Sequence, residues 1–236
     1  MDTRKWGPDG WVLLHNITFN YPIKPTQKDK IDHLLFFNTL QHILPCKYCR
    51  ESFKEFMKQY PIENNLDSRK KISKWLYNIH NLVNNKLKKQ GLLNTPSPSY
   101  KEVEQIYSKE INSFGWEFIY CIVFNYPHKK TLTTEIIGYY FLFFSILNNI
   151  LPNEYTKSIY NEGFNKYNIK CYLDSRYKLK QWLFKLNCFF NKIICRKSKK
   201  YKDICHRYES YRSGCSKKNF KGITCRMTKK TKKSKK

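Results

Sequence analysis

Apolar side chains along this chain recur at helical spacing. Between Ile31 and Leu44 they fall at Ile31, Leu34, Leu35, Leu40, Ile43 and Leu44, close to the i, i+3, i+4 pattern of one buried helix face. Phe53, Phe56, Met57 and Tyr60 repeat the pattern, and Ile72, Trp75, Leu76, Ile79, Leu82 and Val83 repeat it over a longer stretch. Asp67 or Ser68 is placed to cap that third helix by accepting an early backbone N–H. Lys86, Lys88 and Lys89 sit where the dipole favours cations, and Gly91 is placed to end it. The segment Asn94 to Ser99 (NTPSPS) is a break, after which a short helix is expected from about Tyr100 to Glu110. No period-two alternation or Asn-Gly hairpin signal stands out, so the expected class is all-α.

The pattern then starts again. Trp11 to Pro22 reads WVLLHNITFNYP and Trp116 to Pro127 reads WEFIYCIVFNYP. Ile43-Leu44-Pro45 is matched by Ile150-Leu151-Pro152, Leu66-Asp67-Ser68-Arg69 by Leu173-Asp174-Ser175-Arg176, and Trp75-Leu76 by Trp182-Leu183. The offset is 105 residues from Trp11 to Trp116 and 107 from Trp75 to Trp182. Ordered blocks at a nearly constant offset are the signature of a duplicated domain.

Composition adds a charge that the pattern does not show. Lys and Arg number 45 against 18 Asp and Glu, a formal charge of +27, which favours polyanionic partners such as nucleic acid, acidic proteins or anionic lipid surfaces. Much of it is local: residues 189–236 hold 18 Lys and Arg against 2 Asp and Glu. That segment reads as a basic tail, expected to be disordered at least from Thr228 and too charged to help build a binding site. The first residues carry no apolar core of a secretory signal. The most apolar run, Ile136 to Leu151, is too short for a spanning helix and is broken by Asn148 and Asn149, so a buried helix is expected and no membrane span.

The chemistry concentrates at Pro45-Cys46-Lys47-Tyr48-Cys49, just before an amphipathic helix. A helix start with Lys47 and Arg50 nearby should stabilise a thiolate there. By itself a CxxC fits a redox pair, half of a zinc site or a structural pair. Zinc would need more ligands, and no second CxxC or HxxxH supplies them. His15 shares a helix face with Trp11, and His80 follows Trp75 and precedes Asn81, Asn84 and Lys86. Imidazole, amide and ammonium groups gathered on one inner helix face are costly unless something polar binds there.

Three blocks, WGPDGWVLLH (Trp6 to His15), LPCKYC (Leu44 to Cys49) and WLYNIHNLVNNKL (Trp75 to Leu87), together resemble the FAD-linked sulfhydryl oxidases of the Erv/Alr family, its viral members most. The resemblance covers about residues 6–110 and implies a four-helix bundle with a short fifth helix and FAD in its mouth. Carried over by position, Trp11, His15, Tyr48, His80, Asn81, Asn84, Lys86 and Tyr107 would line the FAD site. Cys46 would exchange with incoming thiols and Cys49 would lie next to the flavin. The implied activity passes electrons from a protein dithiol substrate, or a thioredoxin-like relay protein, through the CxxC to FAD. Molecular oxygen then takes them up as hydrogen peroxide. A viral, cytosolic route to disulfides follows by analogy, located in host cytoplasm or virion. Many members carry a further structural disulfide; here Tyr77 and about Tyr100 occupy the corresponding places, so aromatic packing is expected instead.

The second copy lacks this chemistry. Asn153-Glu154-Tyr155-Thr156 replaces the CxxC, Tyr120 replaces His15 and Asn187 replaces His80. Such a copy reads as retained for shape, in the place a partner takes in the family's homodimers. It would pack through the helices holding Trp11 and Trp116; baculovirus members have a comparable layout, and a homodimer of the whole chain is the other possibility. The expected domains are 1–112 (oxidase), 113–195 (degenerate copy) and 196–236 (basic, cysteine-containing tail). Cys195, Cys205, Cys215 and Cys225 recur every ten residues, open to a relay pair, tail disulfides or a small zinc site with His206. Cys171 and Cys188 carry no assigned role. The rival readings are a basic nucleic-acid-binding protein and a zinc-stabilised interaction protein.

Overall fold

Every element of the computed structural model, which describes residues 1–108, 111, 113–215, 217 and 221–226, is helical. The helices are α1 (Thr3–Phe19), α2 (Gln27–Ile43), α3 (Lys47–Gln59), α4 (Arg69–Lys89), α5 (Tyr100–Tyr107), α6 (Trp116–Phe124), α7 (Thr134–Ile150), α8 (Glu154–Lys166), α9 (Arg176–Ile193) and α10 (Tyr201–Glu209). Short 3-10 turns precede α4 and α9 at Ile62–Asn65 and Ile169–Tyr172.

Local chemistry fixes most boundaries. Thr26 and Asp29 form a capping box at the start of α2, and Ser99 and Glu102 form another at α5. Ser68, rather than Asp67, caps α4 by accepting the Lys71 N–H; Asp67 instead takes Lys30 and Lys71. Gly91 lies at φ +65°, where a side chain would be strained, and the chain turns out of α4 there. α5 is shorter than its sequence suggests: it ends at Tyr107, and Ser108 closes its last turn on Glu104. Residues 109 and 110 lie outside the described part.

Helices α1 to α4 form the bundle, and α5 packs against α1. The second half lies against it through α1 on α6 and α2 on α7, so one continuous core runs through both halves. Across this seam Phe36 stacks on Phe143 with centroids 5.2 Å apart, and Trp6 on Phe118 at 5.6 Å. Asp9 accepts the Glu117 and Phe118 N–H groups at the open start of α6.

Matched blocks make matched contacts. The Trp75 indole donates to the Tyr60 carbonyl at 2.9 Å, and the Trp182 indole to that of Tyr167 at 2.7 Å. Tyr21 donates to the Leu66 carbonyl and Tyr126 to that of Leu173. Arg69 reaches the Tyr21 carbonyl as Arg176 reaches that of Tyr126. Phe37 meets Trp75 edge-on at 4.9 Å, and Phe144 meets Trp182 at 4.8 Å. Tyr77 and Tyr100 also meet edge-on, at 5.5 Å, with the Lys74 ammonium over both rings.

The basic segment departs from expectation. Residues 201–209 form α10, whose Ile204 and Tyr208 are buried against the second half. Tyr208 stacks on Tyr120 at 4.6 Å, and Arg207 pairs with Glu117 at 2.5 Å. Beyond it the chain returns to the first half. The Asp2 N–H donates to the Tyr211 carbonyl, and a disulfide joins Cys215 to Cys225, both buried. A few apolar anchors suffice because Lys217 and Lys221 between them are exposed. The expected disorder from Thr228 lies outside the described residues. Among those residues no helix is long and apolar enough to cross a membrane.

Candidate active site

The CxxC lies where α2 ends and α3 begins. Cys46 is the residue that caps α3: its sulfur accepts the Cys49 N–H at 3.2 Å. Arg50 holds the turn from the other side by donating to the Leu44 carbonyl at 2.6 Å. Both cysteines are in the dithiol form. The helix start acts on the first of them. Hydrogen bonds from the Cys49 thiol and backbone, received at Cys46, lower its pKa. Cys49 is pushed up because it donates its proton to Cys46 and is buried, although Lys86 opposes the shift. Cys46 is only 1% exposed, Cys49 rather more.

Cys46 and Cys49 both line a pocket of about 610 Å³ between α1, the start of α3 and the end of α4, a size ordinary for a cofactor site. Its walls are mostly apolar, including Leu14, Leu40, Phe53 and Val83, with a few polar groups converging from different elements. Of the residues named from the sequence, Trp11, Tyr48, His80, Asn84, Lys86 and Tyr107 join Cys46 and Cys49 in the lining. Trp11 lies flat on His80, ring centroids 3.8 Å apart and planes 10° from parallel. Lys86 donates to the Ser52 hydroxyl, which in turn donates to the Tyr48 carbonyl. Asn84 reaches Ser97 at 3.3 Å.

His15 and Asn81 do not line the pocket. His15 is buried behind it. Its Nε2 lies 3.0 Å from His80 Nδ1, and Tyr107 stacks on its other side at 5.0 Å. Burial lowers the pKa of both imidazoles, His15 to about 3 with the charge of His80 adding, and His80 to about 4, so both are neutral at pH 7. His15 Nδ1 is buried without a partner. A bare lone pair there costs less than an orphaned N–H. We therefore assign the proton to His15 Nε2, donating to His80 Nδ1. His80, which lines the pocket, then carries its proton on Nε2.

Several pocket residues had no local signal. Gln90 and Leu93 come from just beyond the matched block of α4, while Thr3 and Arg4 open α1. Ile223, Thr224 and Arg226 come from the segment expected to take no part; charge composition hid them. Tyr48 donates to the Gly222 carbonyl, tying that segment to the CxxC turn. Among the described residues no three His, Cys, Asp or Glu side chains come together as metal ligands.

A sequence profile of the Erv1 / Alr family matches residues 8–106. The chain is 34% identical over 120 residues to the probable FAD-linked sulfhydryl oxidase R368 of Acanthamoeba polyphaga mimivirus, covering 50% of this chain and 83% of that protein. It is 33% identical over 88 residues to the mitochondrial FAD-linked sulfhydryl oxidase ERV1 of Saccharomyces cerevisiae, covering 37% of this chain and 46% of the yeast protein, less than half its length. An FAD-linked sulfhydryl oxidase of African swine fever virus is 27% identical over 106 residues, 45% of this chain and 82% of the viral protein.

Proposed function

The chain belongs to the Erv1 / Alr family, and from that premise we propose that it oxidises protein dithiols to disulfides through Cys46 and Cys49. It is an FAD-linked thiol oxidase, and FAD is its cofactor. The observation that carries the assignment is the one pocket that Cys46, Cys49 and the stacked Trp11 and His80 all line.

The residues present fit that group. The pocket is lined mostly by apolar side chains, with the Trp11–His80 stack and the cations Lys86 and Arg226 among its residues. Trp11, His80, Asn84, Lys86, Tyr48 and Tyr107 would hold the cofactor, with His15 fixing the orientation and tautomer of His80 from behind. When bound, FAD supplies a two-electron acceptor that molecular oxygen can reoxidise to give hydrogen peroxide.

The protein's own part is thiol exchange. Local opening of the turn uncovers the buried Cys46, and a substrate thiolate attacks its Sγ in the oxidised pair, forming a mixed disulfide and breaking the Cys46–Cys49 bond. Cys49 takes the released electron pair. The second substrate thiolate then attacks the substrate sulfur, and Cys46 leaves. The substrate gains one disulfide, and the pair becomes a dithiol. The N–H of Cys49 directed at Cys46 Sγ favours this departure by stabilising the thiolate.

Residues 113–195 are, on this reading, a degenerate copy of the oxidase domain that keeps the packing contacts and lacks the CxxC. The substrate is a protein dithiol or a thioredoxin-like relay protein, and the setting is viral, in host cytoplasm or virion. The test is turnover of dithiothreitol by Cys46→Ser and Cys49→Ser. Both should retain FAD, at one per chain, and lose oxidation. Substantial turnover by either, or two flavins per chain, would overturn the assignment.

A further inference from the structure

The C-terminal segment reaches the pocket by a route that only the fold shows. After α10 it is fastened to the first half by hydrogen bonds that include Tyr211 to Asp2, Ser213 to the Met1 amine, Gly222 to Tyr48, and Arg226 to Leu92. The Cys215–Cys225 disulfide closes it into a loop, and Cys225 is fully buried. Arg226 follows directly and lines the pocket.

Arg226 is under-used by the protein. Its Nη1 donates to the Leu92 carbonyl at 2.6 Å, while its Nε is buried with no hydrogen-bond partner. A buried donor left unpaired is destabilising, more so on a charged group. Arg4 stands close enough for its charge to act on Arg226, but it is already paired with the buried Asp2 at 2.7 Å, and Asp2 partly offsets it. Lys86 supplies a further cation in the lining, and no carboxylate is among the lining residues. A pocket lined by Lys86 and by a guanidinium with an unpaired N–H, and by no carboxylate, favours an anion. Resting on the reading of this pocket as the FAD site, the candidate anion follows from chemistry: the pyrophosphate is the one group of oxidised FAD that is fully ionised at neutral pH.

We propose that Arg226, braced by the Cys215–Cys225 disulfide, binds the pyrophosphate of FAD. The cofactor site is then completed by a residue 120 positions beyond the end of the matched family region at 106. The arm supplies affinity, and the disulfide keeps the guanidinium seated.

The test is equilibrium dialysis of the full-length flavoprotein against FAD, comparing the unsubstituted chain with Arg226→Gln and Arg226→Lys. Glutamine keeps a donor for Leu92 and removes the charge; lysine keeps the charge on a different stem. Arg226→Gln should raise the Kd for FAD by about tenfold to a hundredfold, the worth of one charge-assisted hydrogen bond. Arg226→Lys should fall between the two. A glutamine Kd within about twofold of the unsubstituted chain, or a lysine variant no better than glutamine, overturns the proposal. Failure of the unsubstituted chain to bind FAD would instead overturn the reading of the pocket itself.

Discussion

His15 Nε2 and His80 Nδ1 stand 3.0 Å apart, although 65 residues separate them in the chain. The pair forms a relay of orientation: Tyr107 packs on His15, His15 sets the tautomer of His80, and His80 stacks on Trp11 at the pocket wall.

Both imidazoles are buried neutral, which makes stability depend on pH. Their folded pKa values, about 3 for His15 and about 4 for His80, lie below the ordinary 6.5. The unfolded chain therefore binds more protons below pH 6.5. Stability is full above that value and falls as pH drops toward about 4 and then about 3. The expected slope is about 1.4 kcal/mol per pH unit for each histidine. Urea unfolding of the apoprotein at pH 7, 6 and 5 measures it, and His80→Gln should flatten it. An unchanged slope in that variant would contradict the buried pair.

Thiol labelling should follow burial before acidity. Cys171 and Cys195 are exposed, whereas Cys46 and Cys121 are buried. Cys46 carries the lowered pKa, yet its sulfur is covered, so its alkylation must await local opening. After mild reduction, a time course read by mass spectrometry should show Cys171 and Cys195 modified first and Cys121 last. Cys46 should accelerate when the chain is cut back to Lys197, because the arm over the Tyr48 turn is then gone. Immediate labelling of Cys46 in the full chain would show the turn to be open.

Two glycines should respond in opposite directions. A Cβ at Gly10 would meet Phe118 Cδ2 at 3.0 Å across the α1–α6 seam. Gly10→Val should therefore destabilise by roughly 1–3 kcal/mol through overpacking. Gly138, inside α7, has nothing within 4 Å of such an atom. Gly138→Ala should stabilise by about 0.5–1 kcal/mol through helix propensity. Denaturant midpoints read both signs, and a neutral Gly10→Val would mean that the seam yields.

Ending the chain at Lys197 should cost both stability and flavin. The cut removes α10, uncovering Tyr120 and Phe124 beneath Tyr208, and removes the part of the pocket wall at Ile223 to Arg226. The expected result is a melting temperature lower by several degrees and faster loss of FAD on dilution. Equal melting and equal retention would return the segment to a solubilising tail.

The sequence by itself determined whatever local spacing and capping encode. Helical periodicity fixed α2, α3 and α4, Ser68 and Gly91 bounded the last of these, and Pro45 to Cys49 placed two sulfurs at a helix start. Repeated blocks foretold repeated contacts, because a tryptophan at the same register meets the same carbonyl in both halves. Tertiary structure decided the rest. Which cysteine has the lower pKa depends on the Cys49 thiol and N–H being directed at Cys46, not on the CxxC spacing. Whether a histidine lines the pocket or stands behind it depends on how α1 rotates against α4, and this separated His15 from His80. The arm was hidden for a different reason. Composition averages over residues 189–236, whereas burial needs only Ile204, Tyr208 and Cys225 to turn inward while Lys217 and Lys221 stay in water.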